Sequence, residues 1–468
     1  MNNRSINIQK NLREINSKVQ QDPQRPVYHF LPLAYWMNDP NGPIFYNGTY
    51  HLFYQFNPFE DTWGNIHWGH AISKDLVYWK HLPIALKPCS ERSETHCFSG
   101  DCIINEEGTP IIIYTSIGPD KLPKDGAEQW IAIGNETMTK FSQANENPVM
   151  SLAIHEDLEV KDWRDPFLWK EGDSWYAVLG GHLVSPTRPV VLLYMSENLY
   201  DWKFLHPLII GSKKRGRNWE CPNFFKLGNR HMLIVSPHGR VIYSIGEYEN
   251  REFKPEKWNI LDYGKCYYAT NILEDQEKER IILLGWIKGG GDISGWNGCL
   301  SLPRVLFLDP NEELAIEPLP ELKRLRNQHY QLTNQSINNI QCLFPEENYV
   351  SAIEIKGEID VGSSNRFGIC LNSQEKIDKG YSFGYDRDEK RFWVGKEKAQ
   401  IDLLSYSSII NFHIFIDHSV FEIYLNNKFC ISSRIYLRNK NGFRASIFSD
   451  AGEIEIQKLD LWTLDPIW

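Results

Sequence analysis

The chain has 468 residues, enough for two or three domains with substantial hydrophobic cores. Its residues are 42% hydrophobic and 24% charged, which is typical of a globular protein, and its net charge of −10 argues against a general nucleic-acid partner. Because no apolar run approaches the roughly 18 residues needed to cross a bilayer, we expect no membrane association.

Residues 1–27 form a polar extension of mixed charge. They contain no apolar segment of the kind that a secretory signal requires, so we expect a cytoplasmic protein. The nine cysteines are dispersed along the chain without the spacing of metal ligands. They indicate reduced thiols, with neither a disulfide framework nor a metal site.

A short turn followed by an apolar strand recurs along residues 28–315. The first copy, NGTYHLFY at 47–54, is matched by four later copies, and the turns lie at Gly48, Gly108, Gly172, Gly228 and about Glu279. A second pattern, Ser-x-x-Leu-x-x-Trp, begins at residues 73 and 196. The spacing is slightly longer than a propeller blade of roughly 40–50 residues. Five such units predict a five-bladed β-propeller over 28–315; the alternative is a sandwich in which similar hairpins arose by chance.

The pattern changes after residue 315. Residues 316–334 contain several prolines and predict a linker. Residues 335–468 contain strands of alternating polarity, such as Val420–Leu425, which leads into a tight turn at Asn426 and Asn427. The sequence thus predicts an all-β fold in which the propeller is followed by a β-sandwich at 335–468.

Three carboxylates occupy similar positions in three of the units. Asp39, Asp165 and Glu220 each precede a hairpin turn by seven to nine residues and lie beside a proline motif. Because the first strand of each blade lines the channel of a propeller, we expect the three to converge there. Such a group suits glycosidic bond cleavage, in which one carboxylate attacks or activates water and another protonates the leaving oxygen. The alternatives are ordinary Asp-Pro turns, a structural ion pair of Arg164 with Asp165, and a metal site, which is disfavoured because no histidine stands nearby in ligand spacing.

Four ordered motifs carry a family resemblance: WMNDPNG at 36–42, FSG at 98–100, RDP at 164–166 and ECP at 220–222. Together they resemble the signature motifs of glycoside hydrolase family 32, which holds invertases, sucrose-6-phosphate hydrolases, inulinases and levanases. The resemblance implies a five-bladed propeller with a C-terminal sandwich. It also implies retaining cleavage of terminal β-D-fructofuranosides through a fructosyl-enzyme intermediate.

The resemblance also assigns roles to individual residues. Asp39 is expected to be the nucleophile, Glu220 the acid/base and Asp165 the stabiliser of the transition state. The expected substrate-binding residues are Asn38, Gln55, Trp63, Phe98, Ser99, Arg164, Tyr268 and Trp286. No cofactor and no metal are implied; the partner is a small sugar or oligosaccharide, and a homodimer is a further possibility.

Two positions depart from the family's pattern. Asp101 stands where a small residue usually follows Phe-Ser-Gly, and Asn223 stands where an aspartate usually follows Glu-Cys-Pro. A basic cluster at 213–217 is either a solvated loop or a site for the phosphate of sucrose-6-phosphate.

Other functions remain to be weighed against a hydrolase. A fructosyltransferase would use the same residues with a sugar as acceptor, and an inverting propeller glycosidase would act on arabinose or xylose polymers. A non-catalytic carbohydrate-binding propeller would not require the full set of three carboxylates. The motifs favour the hydrolase.

Overall fold

The structure is a computed structural model that describes residues 3–119, 126–290, 294–344, 349–371, 381–405, 407–436 and 442–468. It contains two compact units, one formed by 1–17, 31–261 and 267–314 and the other by 18–30, 262–266 and 315–468. One helix, α1 (Asn3–Val19), precedes the strands, inside the extension that the sequence analysis left without structure. Among the described residues, no helix has the length and apolar character to span a bilayer.

The strands of the first unit occur in five groups along the chain. The first group is β1 (Tyr35–Tyr46), β2 (Thr49–Asn57), β3 (His67–Ser73) and β4 (Trp79–Leu86). The second is β5 (His96–Ile104), β6 (Pro110–Ile117), β7 (Glu128–Gly134) and β8 (Phe141–Gln143). The third is β9 (Val160–Glu171), β10 (Ser174–Leu183), β11 (Arg188–Ser196) and β12 (Trp202–Ile210). The fourth is β13 (Glu220–Leu227), β14 (Arg230–Ser236), β15 (Ile242–Glu249) and β16 (Glu252–Ile260).

The fifth group is interrupted by two very short strands. It comprises β17 (Tyr267–Asp275), β18 (Arg280–Ile287), β19 (Trp296–Asn297), β20 (Cys299–Leu300) and β21 (Arg304–Leu308), after which β22 (Leu314–Pro318) follows. Strands β17, β18, β20 and β21 form an antiparallel sheet, whereas β19 pairs in parallel with β1 of the first sheet.

The first strands of the five sheets form a closed ring. Strand β1 contacts β5, β5 contacts β9, β9 contacts β13, β13 contacts β17, and β17 returns to β1. Five antiparallel sheets arranged radially in this way, counted over the described residues, are the blades of a propeller. The prediction of an all-β fold built on a propeller is confirmed.

The repeats seen in the sequence correspond to equivalent turns. Each of the five predicted turn positions lies between the first and second strands of its blade. The second pattern spans the turn between the third and fourth strands, where Ser73 and Ser196 accept hydrogen bonds from the backbone N–H groups of Leu76 and Leu199 at 2.8 and 2.9 Å. Equivalent sequence therefore produced equivalent local structure.

Every inner strand contains a β-bulge at the same level of the ring. In each blade, two residues of the first strand lie opposite one residue of the second, and these pairs are 38–39, 98–99, 165–166, 221–222 and 269–270. A bulge bends its strand and redirects side chains, and bulges are common beside active sites. The bulges place the three predicted carboxylates at the ring, with Asp39 and Asp165 inside a bulge and Glu220 just before one.

The second unit is a β-sandwich, as predicted. One six-stranded sheet contains β23 (Arg326–Ile337), β25 (Ala352–Asp360), β30 (Ile409–Asp417), β31 (Val420–Leu425), β32 (Phe429–Arg434) and β34 (Ile454–Leu464). The other contains β24 (Ile340–Cys342), β26 (Arg366–Leu371), β27 (Tyr381–Asp386), β28 (Arg391–Val394), β29 (Glu397–Gln400) and β33 (Ala445–Asp450). Alternating apolar residues from both sheets form a common core rich in isoleucine and phenylalanine.

The linker predicted over 316–334 differs from the structure. A short 3₁₀ helix at Pro320–Leu325 leads directly into β23, which pairs with β34 near the C-terminus. The polar residues of β23 lie on an exposed strand of a sheet, and an exposed strand has too little apolar periodicity to be distinguished from a linker in the sequence.

A buried histidine attaches an N-terminal segment to the sandwich. His29 Nδ1 lies 2.8 Å from Asp417 Oδ2, and His29 Nε2 lies 3.1 Å from Glu422 Oε1. Burial alone would lower the pKa of His29, but the hydrogen bonds to the two carboxylates outweigh burial and raise it. Since both ring nitrogens face acceptors, the arrangement requires the doubly protonated imidazolium.

Candidate active site

Asp39 lies in the β1 bulge at the centre of a hydrogen-bond network. Ser99 Oγ donates to Asp39 Oδ2 at 2.6 Å, and Asn38 Nδ2 donates to Asp39 Oδ1 at 2.9 Å. Gln55 joins these two residues, because its Oε1 accepts from Asn38 at 2.6 Å and its Nε2 donates to Ser99 Oγ at 2.5 Å. Four of the predicted residues thus form one network, which orients the Asp39 carboxylate through both of its oxygens.

Asp165 occupies the β9 bulge with a left-handed backbone, φ +62°. Its Oδ2 accepts the backbone N–H of Cys221 at 2.9 Å, and its own N–H donates to Thr115 Oγ1 at 3.0 Å. Cys221 is left-handed as well, with φ +46°. Left-handed conformations of residues other than glycine are uncommon and concentrate at functional sites.

Glu220 receives contacts from three sides. Arg164 Nη2 donates to Glu220 Oε1, and the Tyr268 hydroxyl donates to Glu220 Oε2. His238 Nε2 lies 3.2 Å from Glu220 Oε1, while the Arg164 Nε atom lies 3.7 Å from Asp165 Oδ2. Arg164 therefore contacts two of the three carboxylates and links the third and fourth blades.

The Cys221 thiol was missed as a functional residue by the sequence analysis. Its Sγ donates to Asp39 Oδ2 at 3.5 Å and to Asp165 Oδ2 at 3.6 Å. Burial raises the pKa of Cys221, so the thiol stays protonated and remains a donor. Its position between Glu220 and Pro222 was the only signal in the sequence, and that signal does not show where the side chain points.

Aromatic rings surround the carboxylates. The rings of Trp36 and Trp286 pack edge to face with centroids 5.6 Å apart, and Trp36 Nε1 donates to Asn38 Oδ1 at 2.8 Å. Trp63 is 47% exposed, and its centroid lies 6.0 Å from that of Phe98. Exposed aromatic faces of this kind suit the apolar C–H faces of a sugar ring. All eleven predicted site residues therefore lie in this network or in aromatic contacts beside it.

The carboxylates are held in a partly desolvated environment. Burial raises the pKa of Asp39, whereas the hydrogen bonds from Ser99 and Asn38 oppose that rise. Burial raises the pKa of Asp165 to about 7, with Arg164 opposing and the charges of Asp39 and Glu220 adding to the rise. Close carboxylates that interact in this way retain a proton at pH values where an isolated aspartic acid is fully ionised.

The residues that depart from the family's pattern are also buried. The Asp101 carboxylate accepts the backbone N–H groups of Cys102 and Leu168 at 2.8 and 2.9 Å, and burial raises its pKa to about 7. Asn223 Oδ1 accepts a hydrogen bond from the Thr270 hydroxyl at 2.7 Å. Both side chains therefore form hydrogen bonds to other groups of the protein.

The basic cluster at 213–217 includes an exposed single-turn helix at Lys213–Arg215. The Arg215 guanidinium lies 5.6 Å from the ring centroid of Trp258. The backbone carbonyl of Arg215 accepts a hydrogen bond from Trp219 Nε1 at 2.9 Å. In the described part of the chain, no cluster of three or more His, Cys, Asp or Glu side chains is placed to hold a metal ion.

The inner strands of the propeller bring two aspartates and a glutamate together beside aromatic rings, and such a set of carboxylates suits the cleavage of a glycosidic bond. Two family models match the chain: the glycosyl hydrolases family 32 N-terminal domain over residues 29–318 and the family 32 C-terminal domain over 321–463. The chain belongs to glycosyl hydrolase family 32. It is a glycosidase of the β-fructofuranosidase type, as the sequence predicted.

Individual relatives agree with this assignment. The chain is 31% identical to a sucrose-6-phosphate hydrolase of Zymomonas mobilis, over 94% of this chain and 92% of the relative. It is similar to the β-fructofuranosidase of Bombyx mori, solved as a variant with sucrose, at 26% identity and a TM-score of 0.83, covering 100% and 99% of the two chains. The fold is also that of a fructan 1-exohydrolase IIa of Cichorium intybus, at 24% identity and a TM-score of 0.84, covering 95% and 98%.

Proposed function

We propose that the chain hydrolyses terminal β-D-fructofuranosides with retention of configuration and that Asp39 is the nucleophile. The network around Asp39 is the observation that carries this proposal. Three donors, from Ser99, Asn38 and Cys221, point at its two oxygens and favour the ionised form that a nucleophile needs.

The first chemical step is displacement of the leaving group. Asp39 attacks C2 of the fructosyl unit while Glu220 gives a proton to the glycosidic oxygen, so the C2–O bond to the leaving sugar breaks and a fructosyl ester forms. In the second step Glu220 takes a proton from water, the hydroxide oxygen attacks C2, and the ester bond breaks to release fructose and the Asp39 carboxylate. Two inversions at C2 give net retention.

Asp165 and Arg164 act on the charge that develops during these steps. Positive charge builds at the fructosyl ring in the transition state, and a fixed carboxylate such as Asp165 stabilises it. Arg164 contacts Glu220 and Asp165, so it fixes the relative positions of the acid/base and the stabiliser. Asn38, Gln55, Ser99 and the aromatic residues would bind the hydroxyls and faces of the fructosyl unit.

Small fructosides are the substrates that we expect: sucrose, sucrose-6-phosphate or short fructo-oligosaccharides. The relative in Zymomonas mobilis is named for sucrose-6-phosphate. The Lys288 side chain also places a positive charge beside the site, since its Nζ lies 4.1 Å from the ring centroid of Tyr268. The proposal includes a cytoplasmic location, which suits a chain with nine cysteine thiols, and a homodimer, which sedimentation will test.

The test is release of glucose and fructose from sucrose, sucrose-6-phosphate, 1-kestose and levanbiose. Asp39→Asn should abolish release from every substrate, whereas the matched control Asp173→Asn, at an exposed turn, should leave it unchanged. Adding methanol should yield methyl β-D-fructofuranoside, which NMR identifies, since a retaining enzyme transfers to methanol on the same face. The α-anomer would disprove retention, and a dominant fructo-oligosaccharide product would indicate a fructosyltransferase.

A further inference from the structure

The sandwich contains a cleft with a volume of about 780 Å³. Strands β25 and β30 form its floor, residues 317–323 form one wall, and Asn426 and Asn427 lie at the edge. All of these residues belong to the second unit. The volume lies within the roughly 300–1,000 Å³ of small-molecule sites. The carboxylate site already described uses none of them.

The floor of the cleft is a row of polar side chains on one face of the sheet. Lys356 lies opposite His413, and Glu358 lies opposite Asn411, on the antiparallel pair β25 and β30. Because successive residues of a strand point to opposite faces, the intervening Ile355 and Ile359 enter the sandwich core and these polar side chains face away from it. The row presents donors and acceptors at neighbouring positions.

One end of the row is fixed by a buried carboxylate. Glu354 is 1% exposed and accepts from Arg326 Nη2 and Nε at 2.6 and 2.8 Å, and its Oε1 lies 2.5 Å from His413 Nε2. Arg326 also stacks on Trp462, with its guanidinium carbon 3.6 Å from the ring centroid. These contacts hold Arg326, Glu354 and His413 in one geometry, and a preorganised site binds its ligand at lower entropic cost.

The protonation state of His413 leaves an acceptor on its ring. Burial lowers the pKa of His413, and the hydrogen bond to Glu354 opposes that fall. In the neutral ring, Nε2 carries the proton donated to Glu354, and Nδ1 is then an acceptor. A ligand hydroxyl is the natural donor to such a nitrogen.

The charges around the cleft balance. Three basic and three acidic side chains line it: Lys323, Arg326, Lys356, Glu317, Glu354 and Glu358. A phosphate or nucleotide site would need an excess of positive charge, and a cation site would need an excess of carboxylates. With no net charge and with the amides of Asn411, Asn426 and Asn427 added, the lining suits a neutral ligand rich in hydroxyl groups.

We propose that this cleft is a second carbohydrate-binding site, which takes an oligosaccharide independently of the carboxylate site. Pro320 supplies exposed apolar surface for the C–H face of a sugar ring, and the polar row binds hydroxyls. The chemical class of the ligand follows from the cleft alone; the choice of a fructan as the first probe rests on the proposed function.

The test is isothermal titration of the full-length Asp39→Asn protein with a linear fructotetraose. Two binding events are expected, and adding Lys356→Ala with Asn411→Ala should remove one event or weaken it at least tenfold. Both residues are exposed, and the matched control Glu455→Ala is at an exposed position of β34 outside the cleft. In the active enzyme, the double variant should leave sucrose kinetics unchanged and raise the KM for long fructans several-fold.

Separate outcomes distinguish this proposal from the proposed function. A single binding event that survives the double variant, or two events that both survive it, would overturn the cleft proposal even when fructosides are hydrolysed. Maltotetraose and xylotetraose form a second arm of the titration. If fructotetraose binds nowhere but one of these binds and is lost in the double variant, the cleft proposal stands, and the fructoside function is decided separately by release of glucose and fructose.

Discussion

Ser99 Oγ donates a hydrogen bond to Asp39 Oδ2 at 2.6 Å, from the bulge of the second blade to the bulge of the first. The contact connects two residues that are 60 positions apart in the chain. Since Ser99 also accepts from Gln55, its hydroxyl proton is directed to Asp39 and to no other acceptor.

Removing the Ser99 hydroxyl should alter the pH dependence of catalysis. Its hydrogen bond lowers the pKa of Asp39, so Ser99→Ala should raise that pKa and move the acidic limb of the kcat/KM profile to higher pH. We expect a loss of about tenfold at pH 5 and a smaller loss at pH 7, as one charged hydrogen bond provides. Sucrose hydrolysis measured from pH 4 to 8 checks this, with Ser142→Ala on exposed β8 as control. An acidic limb that does not move would contradict it.

Tyr268 should affect the rate through Glu220. Tyr268→Phe removes the hydroxyl that donates to Glu220 Oε2 and accepts the backbone N–H of His238 at 2.9 Å. We expect kcat/KM to fall about 10- to 100-fold, because a hydrogen bond to a charged group is lost. The control is Tyr78→Phe, at a ring that is 43% exposed in the turn between β3 and β4. Rates within twofold of the parent would exclude this role.

Asp101 should make the folded protein less stable as the pH rises. Its pKa is about 7 in the folded state and about 4 in an unfolded chain, so the folded state binds more protons between these values. Stability therefore falls across this range, and Asp101→Asn should reduce the fall. Part of the fall in stability should remain in this variant, because the pKa of Asp165 is also raised on folding. Urea unfolding midpoints at pH 5 and 8 test this; an identical change in both proteins would refute it.

His29 should likewise contribute stability that requires a bound proton, here on a charged imidazolium. Its pKa is raised on folding, so its contribution is complete below the unfolded pKa of about 6.5 and is lost as the pH rises through the folded value. His29→Gln should cost about 3–5 kcal/mol at pH 6, as loss of one partner of a buried ion pair does, and less at high pH. Thermal unfolding from pH 6 to 9 measures this, with His206→Gln on β12 as control. A cost that is constant with pH would show that the imidazolium is not required.

The features that could be predicted from the sequence are those set by neighbouring residues, whereas pairings between distant strands could not be predicted. Turn residues such as Gly48 and Gly172 repeat because each blade needs the same hairpin, so the propeller could be predicted from the sequence. The bulges could not be predicted, because no particular residue type marks the extra residue that a bulge inserts into a strand. The strand β23 was taken for a linker for a related reason, since its pairing with β34 is non-local and its residues are polar.

The same limit applies within the site. The carboxylates could be predicted to lie together because Asp39, Asp165 and Glu220 recur at similar distances from a turn. The Cys221 thiol and the Thr115 hydroxyl were not, because their importance depends on left-handed backbone conformations that only the folded bulges impose.

The pairing of β19 with β1 closes the ring, and it joins Tyr35 to Trp296 at opposite ends of the propeller sequence. The Asp39 strand therefore acquires its last neighbour only after the fifth blade exists. During synthesis, Asp39 is made early but its strand receives this neighbour late, because contacts this distant in sequence form late in folding. Turnover should consequently appear only with the complete ring, which makes activity a direct reporter of propeller closure in refolding experiments.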